Sequence, residues 1–345
     1  MAQAPRFLTN DTVVAENFPG TLANVTVFRH NGWTARAVFP HFHFIHYKEY
    51  FMNRRTFLQA AALSTLAAAS LSSPAQGQTL GQQLRERRQT RLETRRRQTQ
   101  KKPLIAVQLY SVRGAAQKDL AGTLAAIAKM GYAGVEFAGY YGKDPKDIRK
   151  MLDDNGLKCA GTHTGYGEIR GDRFESTIEL HKTLGTKFII VPGGLPNDNL
   201  ERNKEWADEF NQIAPKAKAL DMYIGYHAHG GDARKIDGIT AWDRFFDETV
   251  QDVIHQMDIG NYQDGGGDPY AAIEKYKGRT RTVHLKEAGR DRPIIGSGDV
   301  DWARTFELCE TIGGTEWYVV EDEAGSPDDL SRIEKCIVAL REMGK

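Results

Sequence analysis

The sequence is poor in cysteine: three in 345 residues, Cys159, Cys309 and Cys336, far apart and in no CxxC pair. That spacing excludes a zinc knuckle and a disulfide framework, and predicts buried free thiols. A glycine-rich GxGxxG is also missing where an open doubly wound sheet would place it. The first strand-like run leads into YSVRGAAQKD instead, which argues against a dinucleotide-binding sheet. Long apolar runs are absent too, since the apolar stretch Phe57–Leu71 falls short of the about 20 residues a bilayer span takes. Charge of one sign is lacking only on average. Of 46 basic and 45 acidic side chains, 15 and 5 fall in residues 1–102, which leaves 31 against 40 in residues 103–345, a formal balance of −9. A body so acidic is a poor electrostatic partner for nucleic-acid phosphates.

What is present begins with MNRRTFLQAAALSTLAAASLSSPAQGQ from Met52. A short basic start, an apolar core and small residues near Ala75 and Gly77 have the three-part grammar of a secretory signal. Asn53-Arg54-Arg55-Thr56-Phe57-Leu58 resembles the twin-arginine export motif, and the alanine-rich, mildly apolar core suits it. Residues 52–77 are therefore expected to be a signal peptide, with the mature protein periplasmic or secreted and not inserted in the membrane once the signal is removed. Residues 1–51, including the histidine tract His41, His43 and His46, are then expected to be upstream extension from a misplaced start. Residues 78–102 are arginine-dense with no apolar stripe, as in a basic linker or solvated helix.

From Pro103 the pattern has a rhythm. Apolar runs occur at LIAVQLY, GYAGVEF, LKCAGTH, TKFIIVP, MYIGYH, VIHQMDI, RTVHLK and EWYVVE. Each is short and rich in Val, Ile, Tyr or Phe, as buried strands are. Helical stretches separate them: LAGTLAAIAKMG closes on Gly131, and PKDIRKMLDDNG opens with Pro145 and ends at Gly156. Eight strand–helix modules in residues 103–345 predict an α/β fold of the (β/α)8 TIM-barrel type, which typically needs about 250 residues.

Catalytic groups of such barrels sit at the C-terminal strand ends. Those ends carry Glu136 on strand two, His163 on strand three, and His227 with His229 on strand five. Strands six to eight add Asp258, then His284 with Lys286, then Glu321 with Glu323; strand four ends in VPGG and supplies only backbone. Closure of eight strands would bring these groups to one mouth. So many imidazoles and carboxylates are costly to desolvate unless a cation pairs with them. The mixture suits a borderline divalent metal such as Mn, Co, Zn or Fe. His227 is assigned to the metal, and His229 to the substrate or a supporting carboxylate.

At these residues the chain resembles the sugar phosphate isomerase/epimerase family of the xylose isomerase-like barrel superfamily, which includes ketose 3-epimerases, inosose dehydratases and hydroxypyruvate isomerases. The matching marks are GVEF, YHAH, MDIGN, HLKE and VVEDE, in family order. The resemblance implies a divalent cation held by His227, Asp258, His284 and Glu321, with Asn261 and Arg290 holding substrate. It also departs: epimerases carry a glutamate on strand five where this chain has His227. Barrels of the family often associate, so homo-oligomers are compatible with the resemblance.

Isomerases, epimerases and dehydratases of ketosugars share a first step, loss of a proton next to a carbonyl. The resulting enediolate is stabilised by a metal acting as Lewis acid. The expected function is a metal-dependent isomerase or epimerase of a ketosugar or sugar derivative. The alternatives are a 3-keto-glycoside lyase or hydrolase, or a dehydratase, on the same site, and then a non-enzymatic sugar-binding protein. Glu321 is the first candidate base, with Glu136, His163 and His229 as others. Lys286 could protonate a leaving oxygen or could instead pair with Glu287 or Glu323. Glu323, at the same rim, is placed with the substrate. A nucleic-acid repair enzyme on this barrel is opposed by the acidic body.

Overall fold

A computed structural model of the chain describes residues 102–345 apart from 292, and the backbone of three strands before them. Those three, Thr12–Glu16, Ala23–Phe28 and Thr34–Phe39, form an antiparallel sheet of their own. The expected signal at 52–77, the histidine tract and all but the last residue of the expected linker at 78–102 lie outside the described residues.

The eight predicted strand runs each contain one strand of a closed parallel barrel. They are β1 Leu104–Gln108, β2 Gly134–Phe137, β3 Lys158–His163 and β4 Phe188–Val191. β5 Tyr223–His227, β6 Ile254–Asp258, β7 Thr282–Leu285 and β8 Trp317–Val320 follow. The ladder runs in chain order and closes where β8 pairs β1, from Trp317 opposite Leu104 to Val320 opposite Val107. Between strands lie the helices: α1 Leu120–Met130, α2 Pro145–Asp154, α3 Arg173–Leu184, α4 Leu200–Lys218, α5 Ala241–Glu248, α6 Pro269–Lys275, α7 Trp302–Leu308 and α8 Ser331–Glu342.

Local chemistry sets the helix ends. Asp119 caps α1 by accepting from Gly122 N, and Gly131 ends it in the left-handed region at φ 90°, where a Cβ would be strained. Pro145 occupies the first turn of α2 behind the cap Asp144. The three cysteines are buried and free. Among the described residues no helix is long and apolar enough to cross a membrane.

Side chains two apart on a strand share a face, and this period builds two tiers inside the barrel. One is apolar: Ala106, Ala160, Phe188, Ile190, Tyr223, Ile254, Trp317 and Val319 form their own buried cluster. One step nearer the C-terminal ends the same columns turn polar, at Gln108, Glu136, His227, Gln256, Asp258, His284 and Glu321, all buried. Two glycines make that tier fit. A Cβ on Gly225 would meet Ile254 O at 2.8 Å, and one on Gly161 would meet Glu136 Oε1 at 2.8 Å. The β2–β3 register also shifts between Val135 and Glu136, a bulge of the kind that re-aims a side chain beside a functional site.

Candidate metal centre

Four buried side chains, His227, Asp258, His284 and Glu321, bring one ligand atom each to within 4.8 Å of one another. They come from β5, β6, β7 and the residue just past β8, so adjacent strands deliver them. Asp258 and His284 are direct register partners across β6 and β7. His284 is the hub. Its Nδ1 lies 2.8 Å from Glu321 Oε2, 3.0 Å from His227 Nε2 and 3.9 Å from Asp258 Oδ2. His227 Nε2 lies 3.5 Å from Asp258 Oδ2.

The surrounding layer explains how the hub is aimed. His284 Nε2 donates to Glu136 Oε2 at 2.6 Å. Glu136 also accepts from Gln108 Nε2 at 2.8 Å and Gln256 Nε2 at 2.7 Å. A carboxylate behind an imidazole fixes its tautomer and raises its basicity, the usual support for a histidine ligand. Glu136, expected as a candidate base, is fully buried with its oxygens engaged, so its contacts make it the group that orients His284. His163 joins the same layer: its Nε2 donates to Gln256 Oε1 at 2.9 Å, and its ring stacks on His284 at 5.2 Å between centroids. Gln108 and Gln256 were missed by the sequence reading, although each is a polar residue inside an otherwise apolar strand run. By contrast, His227 Nδ1 is buried without a partner among the described residues, so no carboxylate backs this imidazole as Glu136 backs His284.

The electrostatics ask for a cation. Burial alone would lower the His284 pKa, but Glu136 and Glu321 outweigh it and push it up to about 10. Burial, with Glu321 adding and Lys286 opposing, pushes Asp258 up to about 7. Glu321 goes the other way, because His284 and Lys286 outweigh its burial and hold it well below the usual carboxylate range. Burial and the neighbouring imidazoles hold His227 neutral. Protons on His284 and Asp258 thus stand where a divalent ion would balance the carboxylates. Two imidazole nitrogens and two carboxylate oxygens form a donor set suited to Mn, Co, Zn or Fe, so the residues fit such an ion.

The rim residues separate by contact. Lys286 Nζ pairs with Glu321 Oε1 at 3.0 Å and with Glu323. Glu287, its other expected partner, points away and accepts from Ala288 N, Gly296 N, Val300 N and Trp302 Nε1, which holds the loop after β7. Asn261 bonds Asp258 through both its backbone N (2.8 Å) and its Nδ2 (2.9 Å). It is therefore tied to the metal group rather than free at the rim. His229 is exposed, with its ring 4.7 Å from that of His227. Arg290 is exposed and bonds no described residue, so the structure does not bring it into the group. A concavity of about 770 Å3 lies elsewhere, around Lys158, Phe188 and Trp317 at the N-terminal strand ends. It lacks the titratable cluster and faces away from the catalytic end of such barrels.

Comparison with known proteins agrees with the barrel fold. The model of the xylose isomerase-like TIM barrel family matches residues 124–342. An inosose dehydratase of Erwinia tasmaniensis is 28% identical over 261 residues, spanning 62% of this chain and 86% of that protein. One from Geobacillus kaustophilus is 26% identical over 246 residues, spanning 58% and 79%. The crystal structure of a sugar phosphate isomerase/epimerase from Parabacteroides distasonis superposes with a TM-score of 0.61 at 25% identity, covering 69% of this chain and 97% of that one. With a closed eight-stranded parallel barrel and a family match over most of its length, the chain belongs to the xylose isomerase-like TIM barrel family.

Proposed function

We propose that this chain is a divalent-metal-dependent enzyme that removes a proton from the carbon next to the carbonyl of a ketosugar or sugar derivative. One observation carries the reading: four buried ligand atoms from consecutive strands within 4.8 Å. A divalent ion held by His227, Asp258, His284 and Glu321 would supply Lewis-acid polarisation of the carbonyl oxygen. The side chains do the rest. Glu321, held ionised and 6% exposed, is the carboxylate of that group nearest solvent and the first candidate base. His229 and Glu323 stand at the rim to hydrogen-bond hydroxyls.

Returning the proton gives an isomerase or epimerase. Expelling an oxygen from the next carbon gives a dehydratase or glycoside lyase. The second outcome has its own support. Inversion at a carbon needs two acid–base groups, and a histidine, His227, stands where the epimerases resembled here carry a glutamate. Elimination needs a proton donor near the departing oxygen, and Lys286 sits 3.0 Å from Glu321. The curated relatives compared above are named inosose dehydratases.

The test is solvent deuterium incorporation into candidate ketosugars by protein stripped of metal and reloaded with Mn, Co, Zn or Fe. Metal-dependent exchange that is lost in Glu321→Gln is expected. Absence of exchange with every metal and ketosugar would remove the enzymatic reading and leave a binder. We also propose export by the twin-arginine route, with a free or oxidised sugar as substrate because phosphorylated sugars are scarce outside the cytoplasm. Fractionation that finds the chain in the cytoplasm with residues 52–77 retained would refute it.

A further inference from the structure

Next to the metal group, the loop after β4 and the turn after β5 border an open groove of about 450 Å3, lined in part by Gly193, Gly194, Asn197, His229, Gly231 and Asp232. Its size falls within the roughly 300–1,000 Å3 of small-molecule sites. It adjoins the chemistry, since His229 lines it and the His229 ring lies 4.7 Å from that of the ligand His227.

The walls are backbone where side chains would intrude. A Cβ on Gly193 would come 3.3 Å from His229 Cε1, and one on Gly231 would come 2.8 Å from Asn197 Nδ2. Gly194, at φ 92°, is in a conformation other residues rarely adopt. The His229 ring accepts from Asp232 N in a capping box, which aims it, and the half-buried Asn197 side-chain amide beside it leaves donors and an acceptor to be used. Asp232, 3% exposed, accepts from His229 N at 2.8 Å and from the Tyr226 hydroxyl, which fixes the floor. An unspent amide, an oriented imidazole and exposed backbone recognise a polyhydroxylated ring rather than an alkyl chain.

We propose that this groove is a subsite for a second sugar ring, so that the substrate is a keto-disaccharide whose glycosidic oxygen bridges the metal group and the groove. The inference rests on the proton-abstraction reading of the metal site. In the elimination outcome the base takes the proton, and the C–H electron pair becomes the new C=C bond. The C–O pair leaves with the second sugar, whose oxygen takes a proton; no redox partner is needed.

The experiment compares a keto-disaccharide with the matching methyl keto-glycoside, using the full chain loaded with Mn. Beside it, calorimetry measures binding of the unoxidised disaccharide and of its monosaccharide. The expected results are kcat/KM at least about tenfold higher for the disaccharide, and tighter binding of the unoxidised disaccharide than of the monosaccharide. Asn197→Ala and Asn197→Leu should erase both preferences while leaving turnover of the methyl glycoside within about twofold. Equal kcat/KM with equal binding, or variants that depress both substrates alike, would overturn the subsite while the metal chemistry stands. Loss of turnover and exchange with every substrate, with disaccharide binding intact, would instead remove the proton-abstraction reading.

Discussion

His284 answers two demands at once, because Glu136 holds its Nε2 while its Nδ1 faces Glu321, Asp258 and His227. Taking away the carboxylate behind a ligand typically costs about 10–100-fold in metal affinity. Glu136→Gln should therefore weaken metal binding by that factor in chelator competition while the far-UV spectrum is unchanged. The proton on His284 adds a pH dependence. With its pKa pushed up to about 10 in the metal-free chain, an ion must displace that proton to reach Nδ1. The logarithm of metal affinity should then rise with a slope of about one per pH unit from about pH 7 to 9. Below that the slope should steepen toward about two, where Asp258, at about 7, carries a second proton. Calorimetry in buffers of different ionisation heat would count the released protons, and a flat profile would mean that the ion does not use His284 Nδ1.

Between elements, the contact of α3 with β3 rests on another histidine. His181 is buried, its Nδ1 donates to Thr177 O at 2.6 Å, and its Nε2 accepts from the Thr162 hydroxyl. Burial pushes its pKa down to about 4, from an ordinary value of 6.5. Between those values the unfolded chain binds the proton and the folded chain does not, so stability rises with pH and is lost as pH falls from about 6.5 toward 4. His181→Gln should flatten this part of the denaturation profile relative to wild type; an unchanged slope would show that the site is not neutral in the folded chain. The same element logic explains what could be read in advance. The strands were legible because each is an apolar run of fixed length between turn signals, and the convergence of His227, Asp258, His284 and Glu321 because each stands at the end of such a run. Gln108 and Gln256 escaped because their role depends on a partner across the barrel, Glu136. The tie of Asn261 to Asp258 escaped because a contact three residues away depends on the short helix turn, Ile259–Asp264, that Asp258 caps. Arg290 was placed by resemblance alone, and its position shows no contact that would hold it at the site.

At the scale of the whole molecule, the charge asymmetry and the topology point to the same boundary. The acidic balance belongs to residues 103–345, and the barrel closes within them, β8 pairing β1 from Trp317–Leu104 to Val320–Val107. All side chains assigned to the metal group and its supporting layer lie between Gln108 and Glu321. A chain beginning at Lys102 therefore contains every strand of the barrel and all four side chains proposed to hold the ion. Binding to the folded state alone stabilises it by RT ln(1 + [L]/Kd), about 2.7 kcal/mol at a hundredfold excess over Kd. The truncated chain should show this metal-dependent rise in its thermal midpoint as fully as the complete one. Asp258→Asn, which removes a ligand oxygen and leaves a group able to cap the following turn, should lose most of the rise. A truncated chain that folds but binds metal much more weakly than the complete chain would mean that residues before 102 contribute to the centre, and that four barrel strands do not suffice to build it.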